Sequence, residues 1–395
     1  MHEDAFISAR DAAELLGVKL STLYAYASRG LVKSRGSSRT EGHFYDRADL
    51  ERLHARSLAR KGHTAVAASA LRWGEPVLDS AITAIDERGP RFRGELATDL
   101  VERGCSFEQA AELLWTGTLP AAPPRWRERA QRTLRPVPER PLSTMLTVLA
   151  RAAAEERFEA LEHGAELERA RGLLVRLARH VGPAPVRAAS SIAATVARAL
   201  GLDGSPEVTR AVDAALVLLA DHELNVSSFA ARVTASAGSG LVASWLAGFA
   251  ALTGARHGGA SGLVEAWVRE VGSAARVPRA LARMTANGVV IEGFRHTLYP
   301  AGDPRTGPLL EMARQIGRRC ADVRVIDAAI RYFEPRGGKP NVDVGLAALS
   351  AALGAPAGTG TVLFAVGRSA GWVAHILEQR DAGYLLRPRA RYVGV

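Results

Sequence analysis

Four residues of this 395-residue chain stand in settings suited to acid–base chemistry. His222 lies in L-A-D-H-E-L-N, His257 in H-G-G-A, His296 in G-F-R-H-T-L-Y-P-A-G-D-P-R, and Asp343 in P-N-V-D. A carboxylate can take a proton from a weak carbon acid, while imidazoles donate hydrogen bonds to oxygens that gain charge. Two glycines follow His257 and permit close backbone approach. If that stretch opens a helix, the helix N-terminus favours a neutral imidazole, which can still polarise a carbonyl. Each residue also has a plain structural reading: His257 as a packed side chain, Asp343 as a helix cap, His222 as a partly buried hydrogen-bonding group. Arg305, Arg368 and Arg387 read as surface residues when taken singly. The histidines are far apart in sequence, with no i,i+4 pair, which disfavours a metal site.

The elements that must position these residues are mostly helices. Apolar periodicity predicts them around Ala97–Trp115, Leu142–Glu155, Leu167–His180, Val186–Leu200, Val208–Leu219, Phe229–Leu252 and Leu309–Arg319. Gly/Pro punctuation separates them, and no period-2 strand series is present. Glycines and a proline present Asp343 just before an apolar helix. The first segment differs. Ser8 can cap a helix through Ala13–Leu16 that ends at Gly17, and Ser21 can cap a second one. Leu31–Val32, a basic tip and H-F-Y-D-R then read as strand, wing and returning strand, with Asp46 or Asp49 capping a third helix. A linker rich in Arg and Ala follows at about 55–68.

Composition sets outer bounds. Hydrophobic residues make up 47% of the chain, enough for a large core. No apolar run approaches a bilayer span and the N-terminus is polar, so the expectation is a cytoplasmic protein without membrane contact. Cys105 and Cys320 are too isolated for a disulfide framework or zinc site. The net charge of +10 suits anionic partners, such as nucleic acid, a nucleotide-bearing acyl-CoA or a dicarboxylate, without choosing among them.

In order, these segments resemble the citrate synthase family: L-A-D-H-E-L-N (219–225), H-G-G-A (257–260), G-F-x-H…D-P-R (293–305), P-N-V-D (340–343), R-S-A-G-W-V-A-H-x-x-E (368–378) and R-P-R-A-R-Y (387–392). An earlier F-R-G-E segment resembles the family's N-terminal part, and the likeness covers about residues 73–395. The resemblance implies an all-α enzyme that condenses acetyl-CoA with oxaloacetate and hydrolyses the thioester, needing no metal or redox cofactor. It implies that Asp343 removes a methyl proton, His257 stabilises the enol and His296 polarises the oxaloacetate ketone. His222, Arg305 and Arg368 match oxaloacetate-binding positions, and guanidiniums suit a dicarboxylate. Arg387 matches the arginine given to the neighbouring site of a homodimer.

Some positions depart from the family pattern. Arg295 stands where Gly is common, Ser261-Gly262 where Asn-Glu is common, and Leu219 where some members have a further histidine. These departures bear on the acyl-CoA pocket and on the choice between acetyl-CoA and propionyl-CoA, the latter giving 2-methylcitrate.

The first segment resembles the winged helix-turn-helix of the MerR and excisionase type, through A-x-L-L-G-V-x-x-x-T-L-Y-A-Y-x-x-R-G-L-V. Lys19, Arg29, Lys33, Arg35 and Arg39 cluster on its second helix and wing, with Arg29, Lys33 and Arg35 as candidate DNA contacts. A docking module, or a regulator that uses the synthase fold as a sensor, are the other readings. The expected layout is a winged-helix module (1–62), a large helical domain (63–256 with 351–395) and a small catalytic domain (257–350), with the active site in the cleft between the last two.

Overall fold

The computed structural model describes residues 6–29, 31–36, 43–47, 49–51, 53, 78–128, 141–156, 162–254, 257–388, 392 and 394. They belong to two compact units, Met1–Asp79 and Ser80–Val395. Arg39 and the expected linker at 55–68 lie outside the described residues, as does the boundary placed at 62.

The first unit opens with β1 (Phe6–Ser8) and α1 (Ala9–Leu16). The Ser8 side chain accepts from the Asp11 amide at 3.2 Å, and Gly17 closes the helix at φ 61, as the sequence predicts. Helix α2 (Leu20–Ser28) corrects one expectation: Lys19 is its N-cap, so Ser21 lies inside the first turn and caps nothing. Strands β2 (Ser34–Gly36) and β3 (His43–Asp46) pair antiparallel, and β1 pairs with the other edge of β3. The outgoing wing strand is therefore β2 rather than Leu31–Val32. Val32 instead packs in a small core with Ala12, Leu16, Leu23, Tyr45 and Leu50. Asp46, not Asp49, accepts the capping bond after β3, from the Asp49 amide at 3.0 Å.

The second unit begins with a short meander that periodicity does not reveal: β4 (Thr83–Asp86), β5 (Gly89–Phe92) and β6 (Glu95–Leu96). Helices then dominate. They are α3 (Ala97–Glu102), α4 (Phe107–Thr116), α5 (Pro141–Ala154), α6 (His163–Arg179), α7 (Ile192–Ala199) and α8 (Pro206–Leu219). Next come α9 (Val226–Ser236), α10 (Leu241–Leu252), α11 (Ala260–Val271), α12 (Val277–Ala286), α13 (Thr306–Ile316), α14 (Ala321–Phe333), α15 (Val342–Ala352) and α16 (Thr359–Ala382).

Two of the expected long helices are pairs. Ala97–Trp115 breaks between α3 and α4, where Ser106 and Gln109 form a capping box that starts a new helix. Phe229–Leu252 breaks between α9 and α10 around Gly238 and Gly240. The helix expected from Val186 begins only at Ile192, capped by Ser191.

One hydrophobic core gathers α3 to α10 around α16, with Trp245 and Trp372 fully buried. A second is built from α11, α12, α14 and parts of α13 and α15, around Val264, Trp267, Val325 and Ile326. Helix α16 is, against the composition-based expectation, long and apolar enough to cross a membrane. In the fold 94% of that window is buried, as in a core helix. It approaches the end of α8 so closely that a Cβ on Gly371 would lie 2.2 Å from Asp221 Oδ1, and the Gly371 amide donates to the Ala220 carbonyl at 2.8 Å. That contact seats Arg368 beside the loop that carries His222.

Candidate active site

His222 follows the C-terminus of α8 and is buried, with Nε2 2.9 Å from the Tyr299 hydroxyl. His296 and Tyr299 share the loop before α13. The His222 and His296 rings lie 5.5 Å apart edge-on, and the His296 and Tyr299 rings 4.8 Å apart. Arg305 ends the same loop with its guanidinium 5.8 Å from the Tyr299 ring centre. It is clamped by Asp303 through Nε at 3.0 Å and Nη2 at 2.7 Å, both side chains being almost wholly buried. Asp303 also accepts from the Val342 amide at 3.3 Å, which ties this loop to the start of α15.

Asp343 sits in the first turn of α15, not before the helix. Nor is it the cap: Asn341 is, and its Oδ1 accepts from the Asp343 amide at 3.0 Å. The carboxylate accepts a 2.5 Å hydrogen bond from the Ser261 hydroxyl of α11. Gly293, at φ 101, lets the preceding loop pass α15, since a Cβ there would be 2.5 Å from Val344 Cγ2.

His257 lies in the turn before α11, and its Nε2 is 2.8 Å from the Ser227 hydroxyl of α9. Phe364 of α16 stands between His257, at 6.4 Å between ring centres, and the Arg368 guanidinium, 4.9 Å from its own ring centre. Arg368 donates from Nε to the Leu219 carbonyl at 3.0 Å. Its Nη2 is buried with no partner among the described residues.

The electrostatics favour neutral imidazoles beside fixed positive charge. Burial, then Arg368, lowers His257 to about 4. Burial, then Arg305, Arg368 and His296, push His222 well below the usual histidine range. Burial lowers His296 against the opposing pull of Asp303. Arg368 drops to about 10, mainly through burial, and stays charged at neutral pH. Burial pulls Arg305 down, but Asp303 outweighs it and holds the guanidinium above its ordinary value. Asp343 is raised by burial, against Ser261 and Arg305, which favour its anion. The result is a carboxylate of strengthened basicity, three imidazoles and two buried guanidiniums, a set fit for proton abstraction beside a bound polyanion.

Six of the seven residues singled out by sequence for the active site thus meet: His222, His257, His296, Arg305, Asp343 and Arg368. The seventh, Arg387, is exposed beyond α16, and none of the contacts above involves it. Tyr299, Asp303 and Ser227 were missed, and Ser261 was noted only as a departure from the family pattern. Tyr299 and Asp303 stand inside the G-F-R-H…D-P-R segment and could have been taken from it; Ser227 carries no such signal. Among the described residues no group of His, Cys, Asp and Glu side chains is placed to hold a metal ion.

Residues 70–389 match the family described as citrate synthase, C-terminal domain, and residues 7–64 match the MerR HTH family regulatory protein. The citrate synthase of Mycolicibacterium smegmatis is 32% identical over 335 residues, covering 77% of this chain and 88% of that protein. The 2-methylcitrate synthase of Mycobacterium tuberculosis is 30% identical over 332 residues, covering 77% and 84%. The fold superposes with a TM-score of 0.72 and 25% identity on the citrate synthase of Thermoplasma acidophilum, solved as a ternary complex with carboxymethyl coenzyme A and oxaloacetate. That match covers 81% of this chain and 94% of the archaeal one. With the family match spanning most of its length, this chain belongs to the citrate synthase family and is an acyltransferase of that type.

Proposed function

We propose that this chain condenses acetyl-CoA with oxaloacetate and hydrolyses the product thioester to citrate and CoA. The observation that carries the reading is the buried Nη2 of Arg368, without a partner among the described residues, in a cluster that also holds Asp343, His257 and His296. An unpaired buried cation donor is costly unless a ligand anion completes it. In this reading His222, Arg305 and Arg368 hold oxaloacetate. Asp343 takes a proton from the acyl methyl group, and the carbon attacks the ketone, whose oxygen gains a proton from the side of His296. His257 donates to the thioester oxygen from Nδ1, which requires the Ser227 hydroxyl to turn its proton from Asn225 to Nε2. Water then cleaves the thioester. Citrate synthases need no cofactor for this chemistry.

The likeness to a 2-methylcitrate synthase supports propionyl-CoA as the alternative acyl donor. One methylene in an apolar pocket is worth about 1–3 kcal/mol, so the two donors are separated by ratio rather than by exclusion. Thiol release from acetyl-CoA and from propionyl-CoA, each with oxaloacetate, is the test. Higher kcat/KM for acetyl-CoA supports the main reading; the reverse order makes the chain a 2-methylcitrate synthase.

The proposed assembly is a homodimer in which Arg387 reaches the neighbouring site. The two cores support a division into a large domain (63–256 with 351–395) and a small domain (257–350), since the second core runs from Val264 to Ala348. Segment 1–62 is proposed to contact DNA through Arg29, Lys33 and Arg35, which are exposed around an uncharged α2. Phosphate contacts of this kind give binding that falls steeply with salt. Selection from random DNA, with full-length protein and a chain starting near Leu71, separates a DNA reader from a docking module: only a reader enriches a sequence that truncation abolishes.

A further inference from the structure

We propose that Ser261 is a positioning residue for the base at Asp343: its hydroxyl holds Oδ1, fixes the plane of the carboxylate and leaves Oδ2 to take the substrate proton. The proposal rests on the reading of Asp343 as the base.

Ser261 is 1% exposed in the first turn of α11, and its hydroxyl donates to Asp343 Oδ1 at 2.5 Å across 82 residues of sequence. Its surroundings leave it little freedom. A Cβ on Gly360, at the start of α16, would come within 3.1 Å of the Ser261 Cβ. One turn further along α11, Glu265 accepts from the Gly358 amide at 2.8 Å, which pins α11 to the N-cap of α16. Two helices, α11 and α16, therefore set the donor, while the Asn341 cap sets the backbone of the acceptor.

A carboxylate free to rotate about its last torsion offers either oxygen to a substrate. A charge-assisted bond to one oxygen removes that freedom and favours the anion, which burial disfavours. The ionisable groups acting on Asp343 are Arg305, which supports the anion, and Asp303 and Glu292, which oppose it. Ser261 is the neutral donor that touches the carboxylate. Replacing it with Ala removes a single oxygen, leaving the helix junction its shape.

The experiment compares wild type, Ser261→Ala and Asp343→Asn in thiol release at saturating oxaloacetate across pH. Ser261→Ala is expected to lose roughly 10- to 100-fold in turnover at neutral pH, the scale of one hydrogen bond to a charged group. Its acid limb moves to higher pH, because the protonated carboxyl is no longer opposed by the donor, while the KM for oxaloacetate stays within about twofold. An acid limb superimposable on wild type, with Asp343→Asn inactive, overturns the role of Ser261 alone. Near-wild-type turnover in Asp343→Asn removes the base and the proposal with it.

Discussion

His222 and Tyr299 meet at 2.9 Å, and that contact joins the end of α8 to the loop that carries His296 and Arg305. With its pKa pushed down by burial, His222 is neutral and can engage the phenol without a charge of its own. Tyr299→Phe strands a buried ring nitrogen. It should cost about 1–3 kcal/mol of stability and raise the KM for oxaloacetate. Unfolding curves and steady-state kinetics check this; an unchanged KM would mean that the pair is structural only.

Arg368→Leu removes the guanidinium whose Nη2 awaits a partner. Truncating one side of a buried charge pair costs roughly 2–5 kcal/mol, so oxaloacetate binding should weaken by at least about 30-fold. Calorimetric titration with oxaloacetate reads this directly.

Arg387 is exposed on its own chain, and the proposed homodimer would give it to the neighbouring site. Mixing inactive Arg387→Leu subunits with inactive Asp343→Asn subunits should restore partial activity, because one site of each heterodimer is intact. Heterodimers that form but stay inactive would remove the shared site.

Gly371→Ala tests the packing that seats Arg368. The added Cβ would fall 2.2 Å from Asp221 Oδ1 and 2.7 Å from the Ala220 carbonyl. Overpacking of this kind costs about 1–3 kcal/mol, and displacement of the His222 loop should raise the oxaloacetate KM as well. Unchanged thermal stability would show that the two helices separate at little cost.

Asp213 offers a test of buried charge away from the site. Burial, then the nearby Glu108, raises it to about 7, although it accepts from the Phe107 amide at 2.8 Å. A carboxyl raised on folding binds a proton that the unfolded chain releases, so its contribution to stability falls as pH rises from 3.8 to about 7. Asp213→Asn should therefore flatten that decline in urea unfolding measured at pH 5 and pH 8. Parallel curves for variant and wild type would contradict it.

The sequence exposes the reacting groups better than their supports. His222, His257, His296 and Asp343 stand in loops and helix starts with distinctive neighbours, so their residue types and order reveal them. Ser227 does not stand out, because its partner is set by helix packing and a serine in an apolar helix looks ordinary; Ser261 shows only as a departure from the family pattern, which does not reveal its bond to Asp343. The meander β4–β6 is hidden for another reason: strands of two to four residues, one containing Gly89-Pro90, are too short to show alternation. The α3–α4 break was legible in S-F-E-Q, a capping box inside an apolar run. Helix α16 is buried nearly all round, so it carries no amphipathic stripe.

The central claim is that Asp343, beside His257 and His296, makes this chain a synthase rather than only a binder of its substrates. The most direct test follows CoA thiol release with acetyl-CoA and oxaloacetate in wild type and in Asp343→Asn, with oxaloacetate binding measured for both. The account predicts turnover in wild type, a loss of several orders of magnitude in the variant, and nearly equal oxaloacetate affinity. Equal thiol release by the two proteins, or none from the wild type with either acyl-CoA, would contradict it.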